Sequence, residues 1–232
     1  MPGKKRTFGR RLLGWMLIIL TALWALTLVQ VFLLRFLNPP LTVPMLLEGR
    51  WRTLPQRSER LLGSWRPLNG ISPSLRKAVL AGEDQRFLRH HGFDFVEVKA
   101  ALRDMVEESV YRGASTITMQ TARSVFLWPS RSFLRKILEG YYTVLLEVFW
   151  KKERILEVYL NTVDWGSGLR GAETASRKYF HKSCSRLTAD QAAMLAAILP
   201  NPHRWSPAKP NPWVKQRQKR ILVDMRKMPL VG

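Results

Sequence analysis

"AVLAGEDQRFLRHHGFDF", residues 78–95, is the stretch on which the reading of this chain turns. A run of small apolar residues stops at two carboxylates, Glu83 and Asp84, and Phe87, His90, His91 and Gly92 follow within nine positions. The run predicts a helix whose end delivers Glu83 beside Ala81 and Gly82, where little polar company supports its charge. An acid at a helix end is ordinarily a solvated surface group. A carboxylate held partly out of water has its pKa pushed up instead, toward the range where a general base works near neutral pH. This stretch alone leaves both readings open.

Upstream, residues 12–34 ("LLGWMLIILTALWALTLVQVFLL") contain no charged residue and are long enough to cross a bilayer as a helix. No small-x-small cleavage site follows, so the segment reads as a retained anchor rather than a removed signal peptide. Lys4, Lys5, Arg6, Arg10 and Arg11 precede it and place the N-terminus in the cytoplasm by the positive-inside rule. The expected organisation is a basic N-terminus over 1–11, a transmembrane helix over 12–34, a linker over 35–50 and a domain over 51–232 on the far side. Proline punctuation in "NPPLTVPMLLEGRW" marks an extended lead-in.

One cysteine, Cys184, rules out an intramolecular disulfide, and neither H-E-x-x-H nor any zinc-ligand spacing is present. A bacterial periplasmic face fits better than a small secreted scaffold. The net charge of +21 implies anionic partners. Periplasmic placement disfavours nucleic acid, which leaves lipid phosphates of the inner membrane or of a substrate.

Helical periodicity dominates the rest. Leu134, Ile137, Leu138, Tyr141 and Leu145 recur at helical spacing, with Arg135, Lys136 and Glu139 on other faces. Ile155, Leu156, Tyr159 and Leu160 repeat the pattern. Thr188 with Gln191 forms a capping box ahead of an apolar run that Pro200 closes. Ala172, Ala175 and Ser176 make a small-residue face. The predicted class is all-α, with a basic, proline-rich tail after residue 200 read as loosely packed.

In "GASTITMQTARSVFLWPSR", residues 113–131, Ser115, Thr116 and Thr118 follow a glycine, as at a helix N-terminus. They either cap that helix or receive an external anion there. Phe126 and Trp128 either belong to the core or, where exposed, dip into lipid. Separated carboxylates with cations between them point to glycosyl chemistry with a phosphate in the site. A pyrophosphate leaving group needs cations rather than an acid to stabilise it.

Five motifs now carry a resemblance. "EDQRFLRHHG" matches E-D-x-x-F-x-x-H-x-G of the bacterial peptidoglycan glycosyltransferases. "GASTITMQ" resembles their G-x-S-T-I-T-Q-Q, "RKILE" their R-K-x-x-E, "RILEVYLN" their x-I-L-x-x-Y-L-N, and "RGAETASRKYF" their last motif. Motif order is kept over roughly residues 75–205, and the sequence resembles the stand-alone form, without a transpeptidase domain. The resemblance implies a lysozyme-like all-α head with a smaller membrane-facing subdomain, polymerising lipid II into glycan strands with release of undecaprenyl pyrophosphate. It makes Glu83 the base and Glu139 the second essential carboxylate, orienting its surroundings or a divalent cation such as Mg or Mn. Arg123 and Arg131 match cations facing the donor pyrophosphate, beside Arg135 and Lys136, while Ser115 and Gln120 line the cleft. Asp84, Phe87, His90, Gly92 and Thr116 complete the motifs. Implied partners are lipid II, the growing strand, inner-membrane phospholipids and proteins of cell division or elongation, with no nucleic acid.

Met119 departs from the family's first glutamine, and Arg123-Ser124 from its Lys-Asn. Arginine keeps the charge but grips oxygens differently from a compact ammonium. Two competing readings are a lysozyme-like muralytic hydrolase and a non-catalytic membrane-anchored scaffold of the cell-wall assembly complex. A nucleic-acid binder would rest on charge alone.

Overall fold

In a computed structural model, which describes residues 3–47, 64–107, 113, 115–130, 132–166 and 168–232, the chain is helical. Among these residues the only β-pairing is an isolated antiparallel bridge between Asp164 and Arg170. The chain forms two units, residues 1–37 and 38–232. The first is built on α1 (Gly3–Leu34). Within it Gly9–Leu34, 26 residues of mean hydropathy 2.5, is long and apolar enough to cross a membrane. At 1.5 Å per residue it spans roughly 39 Å. The stretch takes in Arg10 and Arg11, which the sequence assigns to the flank.

The second unit comprises α2 (Val43–Leu47), α3 (Pro73–Glu83), α4 (Phe95–Glu107), α5 (Ile117–Phe126), α6 (Phe133–Phe149), α7 (Lys152–Thr162), α8 (Ala172–Phe180), α9 (Ala189–Ile198) and α10 (Pro212–Asp224). Short 3-10 turns lie at Leu68–Gly70 and Cys184–Arg186. Helix α9 is one hub, packed on α3 and α10. Its Ala192, Ala193, Leu195, Ala196, Ala197 and Ile198 are all buried, and the alanines let the neighbouring helices approach closely. The capping box forms as expected, with Thr188 and Gln191 bonding reciprocally. Helix α5 is the second hub, against α6 and α7.

Four expectations are corrected. The lead-in read as extended contains α2, which docks on α5 with Pro44 and Met45 buried; proline is tolerated there because a first-turn residue needs no intrahelical N–H bond. The tail read as loosely packed forms α10. Asn211 caps it, Val214 and Ile221 are buried against the hub, and Arg76 donates to the carbonyl of Val231 at 2.9 Å. Phe126 is not a lipid-facing side chain: it is buried and stacked on Tyr142 at 4.4 Å, while Trp128 is half-buried.

The fourth concerns α6. Its buried face carries Arg135, Glu139, Thr143 and Leu146, whereas Leu134 and Ile137 of the apolar stripe are exposed, its Leu138, Tyr141 and Leu145 are half-buried, and Phe133, Val144 and Val148 are exposed beside them. Helix α4 likewise buries none of its residues and exposes Phe95, Val96, Leu102 and Val106. Apolar patches of this kind on a folded surface mark contact with a non-aqueous partner.

Gly92 holds the loop after α3 against α6. Its φ is +87°, and a Cβ there would meet Thr143 Cγ2 at 2.6 Å. Gly92→Ala is expected to cost on the order of 1–3 kcal/mol from backbone strain, with the clash added to it. Urea unfolding of the purified protein measures this, and an unchanged midpoint would contradict the role.

Candidate active site

Ser72 caps α3 and Pro73 starts it, and buried Leu75, Ala78, Val79 and Leu80 pack it inward. Glu83 is therefore presented at its last turn, with a side chain one-tenth exposed. Its two oxygens are held from different directions. Gln120 Nε2 donates to Oε2 at 2.9 Å, and Arg217 Nη2 donates to Oε1 at 3.0 Å. The same Arg217 nitrogen donates to the Gly82 carbonyl at 2.7 Å. Gly82 leaves room for α10 to pack closely, since a Cβ would stand 3.1 Å from its Ile221 Cδ1. Burial pushes the Glu83 pKa up; the Gln120 bond, the Arg217 charge and bond, and the Arg123 charge pull it down without cancelling the rise.

Gln120 has a fixed orientation. Tyr159 on α7 donates its hydroxyl to Gln120 Oε1 at 3.2 Å, which turns Nε2 to Glu83. Tyr159 stays a donor because burial, followed by the Glu83 charge, raises its pKa well above the ordinary value.

Asp84 does structural work beside it. It accepts from His90 Nε2 at 2.9 and 3.1 Å and from the Ile117 backbone N–H at 3.0 Å. Thr116 caps α5, accepting from Met119 N at 3.2 Å while donating to the Gly92 carbonyl at 2.6 Å. Thr118 donates to Glu147 at 2.6 Å. Thr116 and the Asp84 carboxylate thus cap the N-terminus of α5 from within, so Thr116 is a capping residue, while Ser115 lies on a cleft wall. Phe87 is buried under the Lys152 ammonium, 4.5 Å from its ring centroid.

On α6, Glu139 is fully buried. Arg135 donates to its Oε2, and Lys136 Nζ donates to Oε1 at 2.6 Å. The two cations then diverge: Arg135 is buried, whereas Lys136 is half-exposed and lines a cleft of about 250 Å³ with Phe93, Asp94, Phe95, Val98, Ser115 and Met119. Gln120 Nε2 also reaches the Ser115 carbonyl at 3.5 Å, linking this cleft to Glu83. Arg123 is exposed on the last turn of α5, and no carboxylate pairs with it among the described residues. Arg131 lies outside the described residues.

The donor set does not fit a divalent ion at Glu139, because a cationic nitrogen engages each of its oxygens. Asp84, His90 and Asp94 bring ligand atoms within 4.8 Å of one another. The carboxylates are equally engaged: Asp84 as above, and Asp94 by Arg86 and the Val96 and Glu97 N–H groups, while His90 is engaged through Nε2 and its buried Nδ1 has no partner among the described residues.

The chain thus carries a carboxylate with a raised pKa, an arginine with no carboxylate partner among the described residues, and a cleft with an ammonium on its wall. The family profile described as Transglycosylase matches residues 52–226. The chain belongs to this family. It is 45% identical to a biosynthetic peptidoglycan transglycosylase of Caulobacter vibrioides over 92% of this chain and 91% of that protein. Proteins of the same name from Aeromonas hydrophila and Pseudomonas aeruginosa are each 44% identical, over 94% and 95% of this chain and 92% and 93% of theirs. Against the transglycosylase motifs, Met119 is a nearly buried part of the cleft wall, and Ser124 bonds Thr162 Oγ1 at 2.8 Å.

Sequence reasoning missed Arg217 and the setting of Gln120 by Tyr159. Arg217 is 134 positions from Glu83, in the tail read as loose, and no local spacing connects them. Arg217→Ala removes a cation that favours the ionised carboxylate. The Glu83 pKa then rises further, and the acid limb of the kcat/KM–pH profile moves to higher pH, with Arg217→Lys in between. Glu139→Gln leaves Arg135 buried without a counter-charge and is expected to destabilise by about 3 kcal/mol, read as a lowered denaturation midpoint.

Proposed function

We propose that this chain polymerises lipid II into peptidoglycan glycan strands, by inverting transfer onto a sugar hydroxyl with release of undecaprenyl pyrophosphate. The observation that carries the reading is Glu83: a desolvated carboxylate with its pKa raised, oriented by Gln120 and Arg217. Such a group takes the proton of the acceptor 4-hydroxyl as its oxygen bonds to the anomeric carbon of the donor. The bond from that carbon to the pyrophosphate oxygen breaks, and the electron pair leaves with the phosphate. Arg123 and Lys136 supply positive charge for it.

The arrangement favours transfer from a pyrophosphate over hydrolysis of a glycoside. A glycosidase needs a second carboxyl group to protonate its leaving oxygen or attack carbon. Both oxygens of Glu139 hold cations, and Asp84 holds His90 and a helix N-terminus. Neither presents a free oxygen to a sugar. The apolar helix α1 and the exposed apolar side chains of α4 and α6 suit an enzyme whose substrate resides in a bilayer. The basic flank of α1 supports an inner-membrane anchor with the N-terminus in the cytoplasm and the catalytic unit in the periplasm.

The test is polymerisation of labelled lipid II by the detergent-solubilised chain beside Glu83→Gln, with the products digested by lysozyme. Wild type is expected to give lysozyme-sensitive polymer, and the variant to lose about 10²–10⁴-fold in rate. Folded wild-type protein that makes no polymer would sink the reading. Stability should move the other way. The folded-state pKa of Glu83 lies above its unfolded value, so its contribution is fully present below the unfolded value and is lost as pH rises through the folded one. Glu83→Gln is therefore expected to raise the melting temperature at neutral pH, by an amount that shrinks on acidification through the ordinary carboxylate range.

A further inference from the structure

The segment joining α9 to α10 and the first turn of α10 bring two tryptophans together. Trp205 and Trp213 lie with ring centroids 4.4 Å apart and planes 31° apart. Trp213 is 48% exposed and Trp205 is half-buried. One turn after Trp213, Arg217 places its guanidinium 5.8 Å from the Trp213 centroid and donates to Glu83. The pair is therefore one side chain removed from the reacting carboxylate. It approaches through Oε1, whereas Gln120, Ser115 and the cleft bearing Lys136 approach through Oε2. The buried residues of α10 are Val214 and Ile221, and Trp213 is not among them.

We infer that Trp205 and Trp213 form a saccharide platform that holds the growing glycan strand on the side of Glu83 away from the pyrophosphate. The inference rests on the transferase reading above. Hexopyranose rings present an axial C–H face, which a flat aromatic surface covers while the hydroxyls stay in water. A growing strand carries its pyrophosphate at the reducing end only, so the sugars behind the reacting one must extend away from the cations. The aromatic pair lies where that extension begins, and the flanking Arg217 offers N–H groups to hydroxyl or amide oxygens. Holding the strand there between couplings keeps it from leaving, which lengthens the product.

The experiment compares the full chain with Trp213→Ala, Trp205→Ala and Trp213→Phe in two assays. The first is binding of the tetramer of N-acetylglucosamine, which has neither phosphate nor lipid, followed by saturation-transfer NMR. The second is the length distribution of polymer from labelled lipid II, with thermal melting of each variant confirming the fold. The platform predicts about tenfold weaker tetramer binding in the alanine variants, consistent with loss of one aromatic contact. It also predicts severalfold shorter polymer, with Trp213→Phe close to wild type in both assays. Unchanged binding and length in a folded Trp213→Ala would overturn it. A raised KM for lipid II with normal lengths would assign the platform to the acceptor sugar and overturn the strand assignment. If wild type binds the tetramer but makes no polymer, the transferase reading falls rather than the saccharide site.

Discussion

The site depends on one buried carboxylate that does no chemistry. Asp84 accepts at once from His90 and from the first N–H of α5, and so ties the C-terminal end of α3 to the N-terminal end of α5. A negative charge at a helix N-terminus is favoured by the exposed amides and by the helix dipole, and His90 completes its bonding in a place water does not reach. Once these two helix ends meet, Glu83 and Gln120, each a short step from the junction, fall within hydrogen-bond distance. Thr116 and Gly92 fasten the same junction from the loop side. Two adjacent acids thus serve opposite ends: one is saturated with donors, and the other keeps a raised pKa.

A second division of labour concerns the cations. Arg135 and Lys136 are consecutive, yet α6 turns the first into the interior against Glu139 and leaves the second half-exposed on the cleft wall. Glu139 is best understood as the group that fixes Lys136 in place, with Arg135 balancing the remaining charge. Arg123 is exposed and has no carboxylate partner among the described residues. Pre-positioned charge of this kind acts where negative charge develops and needs no rearrangement at the moment of reaction.

The exterior follows from the same helix. Because α6 buries Arg135, Glu139 and Thr143, part of its apolar stripe, with Leu134 and Ile137, faces outward, and α4 presents further apolar side chains. In water this would be a liability. Here it puts an ammonium of the cleft wall, Lys136, and exposed apolar side chains on one helix.

The sequence by itself determined the helical class, an apolar span near the N-terminus, the capping box of α9 and the place of Glu83 at a helix end, because each is written in residues close along the chain. Helical period, caps and the motif around residue 83 are local signals, and they survive folding. Periodicity could not say which face of α6 turns inward, since an apolar stripe reads the same against a core or a bilayer. Nor could it show that the tail folds as α10, or that Arg217 reaches Glu83 from 134 positions away. The sequence likewise did not show that Tyr159 sets the amide of Gln120. Those contacts join residues far apart in the chain, and only tertiary packing brings them within hydrogen-bond distance. The tertiary structure therefore decided how Glu83 is oriented and what surrounds it, because desolvation and neighbouring charge are properties of a folded site.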